Sequence, residues 1–286
     1  RTQCMRIQPP KSVYTHITAT DLVCSTRGKW YAMEDSLSVP DGIAYPHFAR
    51  KLCREIAPEN YQVPELCDNC GLDILLRQLY RDIMDDDPEL EGGIVVLLSQ
   101  GKQDLSYFEL CYMAKLTGAV VAEAEQLIVM DNKVYYQAPE GGFQRVAIIH
   151  RLALDSMLDP LCFDEDSPCG VPHLMEAYCA GHIAIINAPG CSLAEDRGLH
   201  YFIPAMIRYY LDEEPILPNV PTFVPWYPDQ KKYVLEHMDS LIFKDVSSDR
   251  RAGAVYGDTL TTQEKRELTQ RIIREPRRYI AQSRIE

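Results

Sequence analysis

The 286-residue chain has no window of about 18 uninterrupted apolar residues and no basic segment leading into an apolar run, so neither a membrane-spanning helix nor a secretion signal is expected. It is also short of positive charge. Its 29 Lys and Arg stand against 42 Asp and Glu, a net charge of −13, so nucleic acid is not an expected partner. The one basic run, Arg274 to Arg278, reads as cations at a helix C-terminus. No G-x-G-x-x-G follows a strand-like run, which sets aside a nicotinamide-type dinucleotide enzyme, and no G-x-S-x-G marks a hydrolase nucleophile. The single C-x-x-C, Cys67 to Cys70, lacks a second pair or a His at finger spacing, so it reads as a loop and not a closed zinc site. The ten cysteines are scattered through helix-like and strand-like runs, which predicts reduced thiols and a cytoplasmic protein. His16, His150 and His200 read as ordinary polar or half-buried groups, and the acidic run Phe163 to Pro168 as a solvated loop.

What is present is a globular composition, 46% apolar and 25% charged, long enough for one large or two ordinary domains. The pattern is α/β. Leu72 to Met84 places apolar residues at 72, 75, 76, 79, 80 and 83, the stripe of an amphipathic helix. The run Ile94 to Ser99 is a short buried strand, Ser106 to Gly118 a helix stopped by Gly118, and Ala119 to Ala122 a second strand, together one β-α-β unit. Leu127 to Gln137 predicts a hairpin turning at Asp131 and Asn132, and Arg145 to Leu152 another buried strand. Gly170 to Gly181 reads as a helix, followed by the strand and loop HIAIINAPG and the helix YFIPAMIRYYL. A Pro-rich bridge spans Pro215 to Pro228. Beyond it come a helix (Gln230 to Met238), strands at Leu241 to Val246 and Gly253 to Tyr256, a helix capped by Thr261 and Glu264, and a strand at Tyr279 to Gln282. This divides the chain into residues 1–71, 72–214 and 215–286. The start at Arg1, without Met, predicts a portion of something longer.

In α/β sheets ligands bind beyond the carboxyl ends of strands, and here those ends are charged: His150 and Arg151 with Asp155 and Asp159 after them, Asn187, and Lys244. The stretch WYAMEDSLSVPDGIAY, Trp30 to Tyr45, closes a strand-like run on two acids. Alternation puts Glu34 on one face with Trp30 and Ala32, and Asp35 on the other with Tyr31 and Met33. Two carboxylates at a strand mouth invite a cation; the alternative is an acidic pair closing a surface hairpin.

The succession MEDSLSVPDG, RLALDSMLDP, GVPHLMEAYCAGHIAIINAPG, IPAMIRYYLDEEPILPNVPTF and REPRRYIAQ resembles the circularly permuted ATP-grasp family, whose relatives include glutathionylspermidine synthetase, across about Val13 to Gln282. Members of that family are longer at both ends. The resemblance implies an ATP-grasp-like α/β fold of mixed sheets flanked by helices, with ATP and Mg²⁺ held between two sheet-bearing halves. It implies that a small-molecule or peptide carboxylate, activated as an acyl phosphate, is captured by an amine. Such chemistry brings anions together, so cations must offset their repulsion.

By the same resemblance, Asp21, Glu34 and Ser36, with Asp35 between, are the Mg²⁺ positions, Ser36 standing where the family has Asn. Lys244 and Arg197 face the phosphates, Arg197 where the family has Lys, which changes the geometry of the contact. Gly253 is the remaining glycine of the phosphate loop SSDRRAGA, and the backbone around Ala281 and Gln282 meets adenine. Arg151 and Asp155 remain from an Arg pair and acidic triplet that position substrate. The side chains that replace glycines in SSDRRAGA obstruct close backbone approach to phosphate. They motivate a second reading, a catalytically degenerate scaffold that binds a nucleotide or a partner.

Overall fold

A computed structural model describes residues 9, 12–61, 71–246 and 253–286 of the chain. The C-x-x-C of Cys67 and Cys70 and the phosphate-loop residues 247–252 lie outside these. The strands are β1 (Ala19–Cys24), β2 (Trp30–Ser36), β3 (Ile94–Ser99), β4 (Val120–Glu123), β5 (Leu127–Met130), β6 (Lys133–Gln137), β7 (Phe143–Arg151), β8 (Ala184–Ile186), β9 (Thr222–Phe223), β10 (Leu241–Asp245), β11 (Val255–Tyr256) and β12 (Tyr279–Ser283). The helices are α1 (Ala44–Ile56), α2 (Leu72–Asp85), α3 (Tyr107–Thr117), α4 (Leu174–Cys179), α5 (Arg197–His200), α6 (Ile203–Leu211), α7 (Pro228–Glu236) and α8 (Thr262–Arg274). They form two compact units, Arg1–Thr18 with Leu37–Ser192, and Ala19–Ser36 with Leu193–Glu286. The expected boundary at 214/215 falls inside the second unit, which also takes in the β1–β2 hairpin.

The first unit is built on a mixed sheet of order β4-β3-β7-β6-β5, with β8 against β7. β7 belongs to two neighbourhoods: Phe143, Gln144 and Arg145 pair antiparallel with β6, while the residues from Val146 onward run parallel to β3 and β8. A register shift against Ile94 and Val95 interrupts its alternation. Val146 and Ile149 therefore enter one core with α4, and the adjacent Ala147 and Ile148 enter the other with α2 and α3. Gly93 permits this close pass, because a Cβ there would stand 2.6 Å from that of Ala147. The β5–β6 turn at Asp131 and Asn132 has φ of 49° and 58°, the left-handed pair that the hairpin pattern predicts.

Two details depart from the sequence reading. In α2 the buried positions are Leu72, Leu76, Tyr80 and Ile83, whereas Leu75 is 69% exposed, so the buried stripe is narrower than its apolar content. The α4 helix starts at Leu174 and not at Gly170, since His173 sits at a left-handed φ of 66° that interrupts helical geometry.

The second unit has a four-stranded antiparallel sheet, β11-β10-β12-β9, with the α7 and α8 residues Val234, Leu268 and Ile272 packed against Leu241, Phe243, Tyr279 and Ala281. The Pro-rich bridge is more than a linker. Its Thr222 and Phe223 form β9, an edge strand flanked by proline, where the missing N–H is tolerated. The bridge also holds β2, as the Ala32 amide donates to the Pro218 carbonyl (2.9 Å) and the Val220 amide to the Ala32 carbonyl (2.8 Å).

α8 opens with the predicted capping box: the Glu264 amide donates to Thr261 Oγ1 at 3.3 Å, and the Thr261 amide to the Glu264 carboxylate at 2.8 Å. Replacing Thr261 with Ala removes an acceptor for an otherwise unpaired helix N–H and is expected to cost about 1 kcal/mol, readable as a lowered denaturant midpoint of this unit. An unchanged midpoint would show that the cap is dispensable.

Candidate functional site

The second unit gathers most of the residues singled out in the sequence. β2 and β1 pair with Asp21 opposite Glu34, but the next pair is Leu22 with Ala32, so Met33 is an extra residue in β2. A bulge of this kind breaks the in-out alternation. The bulge takes Glu34 out of phase with Ala32 and Trp30, whereas Glu34 and Asp35 are themselves paired in regular succession with Asp21 and Thr20. Glu34 meets Arg197, with Nε to Oε1 at 3.4 Å, and Asp35 approaches His200, with Nδ1 to Oδ2 at 4.0 Å. Arg197 and His200 are three residues apart on α5, hence on one helix face. Both carboxylates line one small cavity with that face.

Lys244, delivered by β10, donates through Nζ to the same Glu34 Oε1 that Arg197 approaches. The guanidinium of Arg197 also donates to the Asp245 carbonyl at 3.0 Å, which ties α5 to β10. One carboxylate oxygen thus sits between two cations. Lys244, Arg197 and Glu34 have side chains only 9%, 10% and 18% exposed. Asp35 accepts from Thr20 Oγ1 at 2.7 Å, while Asp21, opposite Glu34 on β1, is exposed. The cavity bordered by Glu34, Asp35, Arg197 and His200 measures about 10 Å³, room for about one water molecule. The charged groups are paired with one another.

His200 is buried, and burial lowers its pKa although the Asp35 carboxylate acts the other way; the imidazole is neutral at pH 7. Asn219 donates to its carbonyl at 3.1 Å. The sequence reading passed over His200 as an ordinary group; its i, i+3 spacing from Arg197 was the available signal.

The other predicted positions divide. Gln282 is buried, and its amide reaches the Met33 carbonyl (3.4 Å) and Thr222 Oγ1 (3.2 Å), which places its side chain behind the β2 bulge. Ala281 lies in β12, paired on one side with Phe243 and on the other with Phe223. The expected adenine contact to backbone at Ala281 therefore has no free sheet edge to use. Ser36 ends β2 opposite Ala19. Gly253 has no left-handed φ, and a Cβ there would meet nothing within 4 Å, so this conformation does not require glycine.

Arg151 and Asp155 belong to the first unit and are buried, with side chains 0% and 3% exposed and an ion pair of 2.6 Å. Arg151 donates further to the carbonyls of Ala153 (2.6 Å) and Asn187 (3.2 Å); Asp155 accepts from the Gly190 amide (3.1 Å) and Ser192 Oγ (2.6 Å). Their polar atoms hold the loop after β8. Both side chains are engaged in these contacts and are not presented to solvent.

Next to Arg151, His150 is fully buried against Tyr80, whose hydroxyl lies 2.8 Å from Nδ1. Burial, reinforced by the adjacent Arg151, lowers the His150 pKa to about 4. The unfolded state, with the ordinary value near 6.5, binds this proton more readily, so stability is lost as pH falls from 6.5 toward 4. Between pH 7 and 5 the first unit should lose about 2 kcal/mol through this group. His150→Gln, which keeps a hydrogen-bonding partner for Tyr80 without a titrating ring, should flatten that slope in denaturation at the two pH values; an unchanged slope would contradict the assignment.

The donor set suits Mg²⁺ in one way only. Among the described residues no group of three or more His, Cys, Asp and Glu converges as a metal cage. Glu34 and Asp35, with Asp21 opposite, offer hard oxygens, and Mg²⁺ is commonly held by one or two carboxylates completed by substrate phosphates and water. The residues fit a shared protein and phosphate site and do not fit a protein-only one. Among the described residues, no helix is long and apolar enough to cross a membrane.

Comparisons with known proteins agree with this architecture. An uncharacterized Synechocystis protein is 37% identical over 280 residues, 98% of this chain and 57% of its own length. An uncharacterized Mycobacterium tuberculosis protein is 32% identical over 285 residues, 99% of this chain and 51% of its own. A Frankia casuarinae protein, provisionally named a glutamate–cysteine ligase, is 31% identical over 275 residues, 96% of this chain and 32% of its own. The chain thus spans about half the length, or less, of these curated relatives. The solved apo structure of a glutathione synthetase-like effector from Globodera pallida superposes with a TM-score of 0.57 at 11% identity, covering 98% of this chain and 62% of that one, which shows a common fold. The family model for circularly permuted ATP-grasp type 2 matches residues 1–286, and the chain belongs to that family.

Proposed function

We propose that this chain carries the phosphate-binding and metal-binding part of an ATP-dependent carboxylate–amine ligase. The observation that carries the reading is the convergence of Lys244 and Arg197 on a single oxygen of Glu34, inside one unit, from segments up to 210 residues apart in the chain. Two nearly buried cations that meet on one carboxylate oxygen are placed to exchange it for phosphate oxygens, the stronger charge-assisted partners. Family membership and the ligase name of the Frankia relative support the same direction.

In this reading Lys244 and Arg197 turn from Glu34 to phosphate oxygens and lower the repulsion that an incoming carboxylate meets. Glu34, once released, would hold Mg²⁺ together with Asp35 and Asp21, and the ion would supply charge neutralisation on the phosphates. Gln282 steadies the β2 bulge beside Glu34 through the Met33 carbonyl. The carboxylate oxygen would take the γ-phosphoryl group of ATP with ADP leaving, and attack of the amine nitrogen on the acyl carbon would form the amide and expel phosphate, which takes up the proton the amine loses. The substrates are a small-molecule or peptide carboxylate and amine.

A degenerate scaffold remains the second reading, favoured by the closed cavity of about 10 Å³ and by a phosphate loop with one glycine. Calorimetric titration of ATP with and without Mg²⁺ separates the two. The ligase reading expects binding that strengthens with Mg²⁺; absence of binding under both conditions would remove it.

A further inference from the structure

A larger cavity of about 360 Å³ lies in the second unit and shares His200 with the acid and cation cluster. The volume is in the range of sites that hold small organic ligands. Its walls are unusual. Pro204, Pro215, Pro218, Pro221 and Tyr201 line it, and the carbonyls of Pro218 and Pro221 are already taken by the amides of Ala32 and Ser283. Proline fixes φ and has no N–H, so this part of the wall is rigid and already formed, and it lies beside a comparable share of polar lining. A ligand body entering there meets little cost of reordering.

The polar groups of this cavity are arranged asymmetrically. Arg208, in the last turn of α6, and Glu214 line it as an ion pair, joined by three contacts of 2.9 to 3.0 Å. Both are exposed, at 54% and 77%, so the pair contributes little to folding and opens at little cost. A molecule that brings one charge of each sign can replace one ion pair by two, with its carboxylate on the Arg208 fork and its ammonium on Glu214. A molecule with only one charge leaves a partner unmatched. Asn219 and Thr222 line the same cavity as uncharged polar groups.

We infer that this proline-walled cavity is a binding site for an α-amino-acid zwitterion with an apolar side chain, the charged end on Arg208 and Glu214 and the side chain against the prolines and Tyr201. Its place beside His200 makes such a ligand the amine or carboxylate substrate only if the ligase reading above holds; binding itself does not depend on that reading.

The test is a titration of the 286-residue chain with L-phenylalanine, followed by saturation-transfer NMR and calorimetry. Parallel titrations use 3-phenylpropionate, which lacks the amine, and phenethylamine, which lacks the carboxylate. The inference expects both half-ligands to bind at least about tenfold more weakly than the amino acid. Arg208→Gln and Glu214→Gln, both at exposed positions that leave folding intact, should each reduce the amino acid's affinity by a similar factor and leave Mg²⁺–ATP binding unchanged. Half-ligands that bind as well as the zwitterion, substitutions without effect, or no amino-acid binding at all would overturn it. Amino-acid binding in a chain that fails to bind Mg²⁺–ATP would uphold this site and reject the ligase reading, so the two failures are distinct.

Discussion

Lys244→Ala should lower the affinity for Mg²⁺–ATP by about 10- to 100-fold while leaving the second unit folded. A charged hydrogen bond to phosphate contributes about 1.5–3 kcal/mol, and Lys244 is held in a nearly buried position where solvent screens it little. The fold survives because Glu34 keeps Arg197 as a partner and the Lys244 backbone stays paired with Ile280. Lys244→Arg should recover part of the affinity, limited by the different reach of the guanidinium. The measurement is a calorimetric Kd for the three proteins with circular dichroism as the folding control. Equal affinities in wild type and Lys244→Ala would remove this lysine from the phosphate site.

The largest effect on stability is expected at Arg151. Arg151→Met removes the only ion-pair partner recorded for Asp155 among the described residues and leaves a carboxylate in a site 3% exposed, which should cost about 3–5 kcal/mol. Asp155→Asn leaves the guanidinium uncompensated with a cost of the same order. Combining the two removes both charges, so the double variant should be less destabilised than the sum, by a coupling of about 1–3 kcal/mol. Both tryptophans, Trp30 and Trp226, lie in the second unit, so their fluorescence does not report this loss. Hydrogen exchange at the amides of Gly190 and Leu158 follows the first unit instead. Additive single effects would mean that the pair is not coupled.

The sequence announces local structure well where one physical cause dominates. The left-handed turn at Asp131 and Asn132 and the Thr261 capping box follow from short-range chemistry and appear where expected. Elements set by packing are less legible. Leu75 and Leu76 are indistinguishable in pattern, yet only Leu76 faces the core. The β2 bulge has no local sequence cue, and it takes Glu34 out of phase with Ala32 and Trp30. The prolines of the bridge suggested a linker, but its edge position lets Thr222 and Phe223 form a strand. The contact of Lys244 with Glu34, 210 residues apart, is invisible to periodicity. The burial of Arg151 and Asp155 was not legible, because charged residues at a strand end read the same whether they face substrate or brace a loop.

The central claim is that the Glu34, Lys244 and Arg197 cluster is a closed metal and triphosphate site. A crystal structure of the chain with Mg²⁺ and a non-hydrolysable ATP analogue tests it most directly. The account predicts Lys244 Nζ and the Arg197 guanidinium on phosphate oxygens, with the Glu34 carboxylate on the metal. An analogue bound elsewhere, with Lys244 still on Glu34, would contradict it.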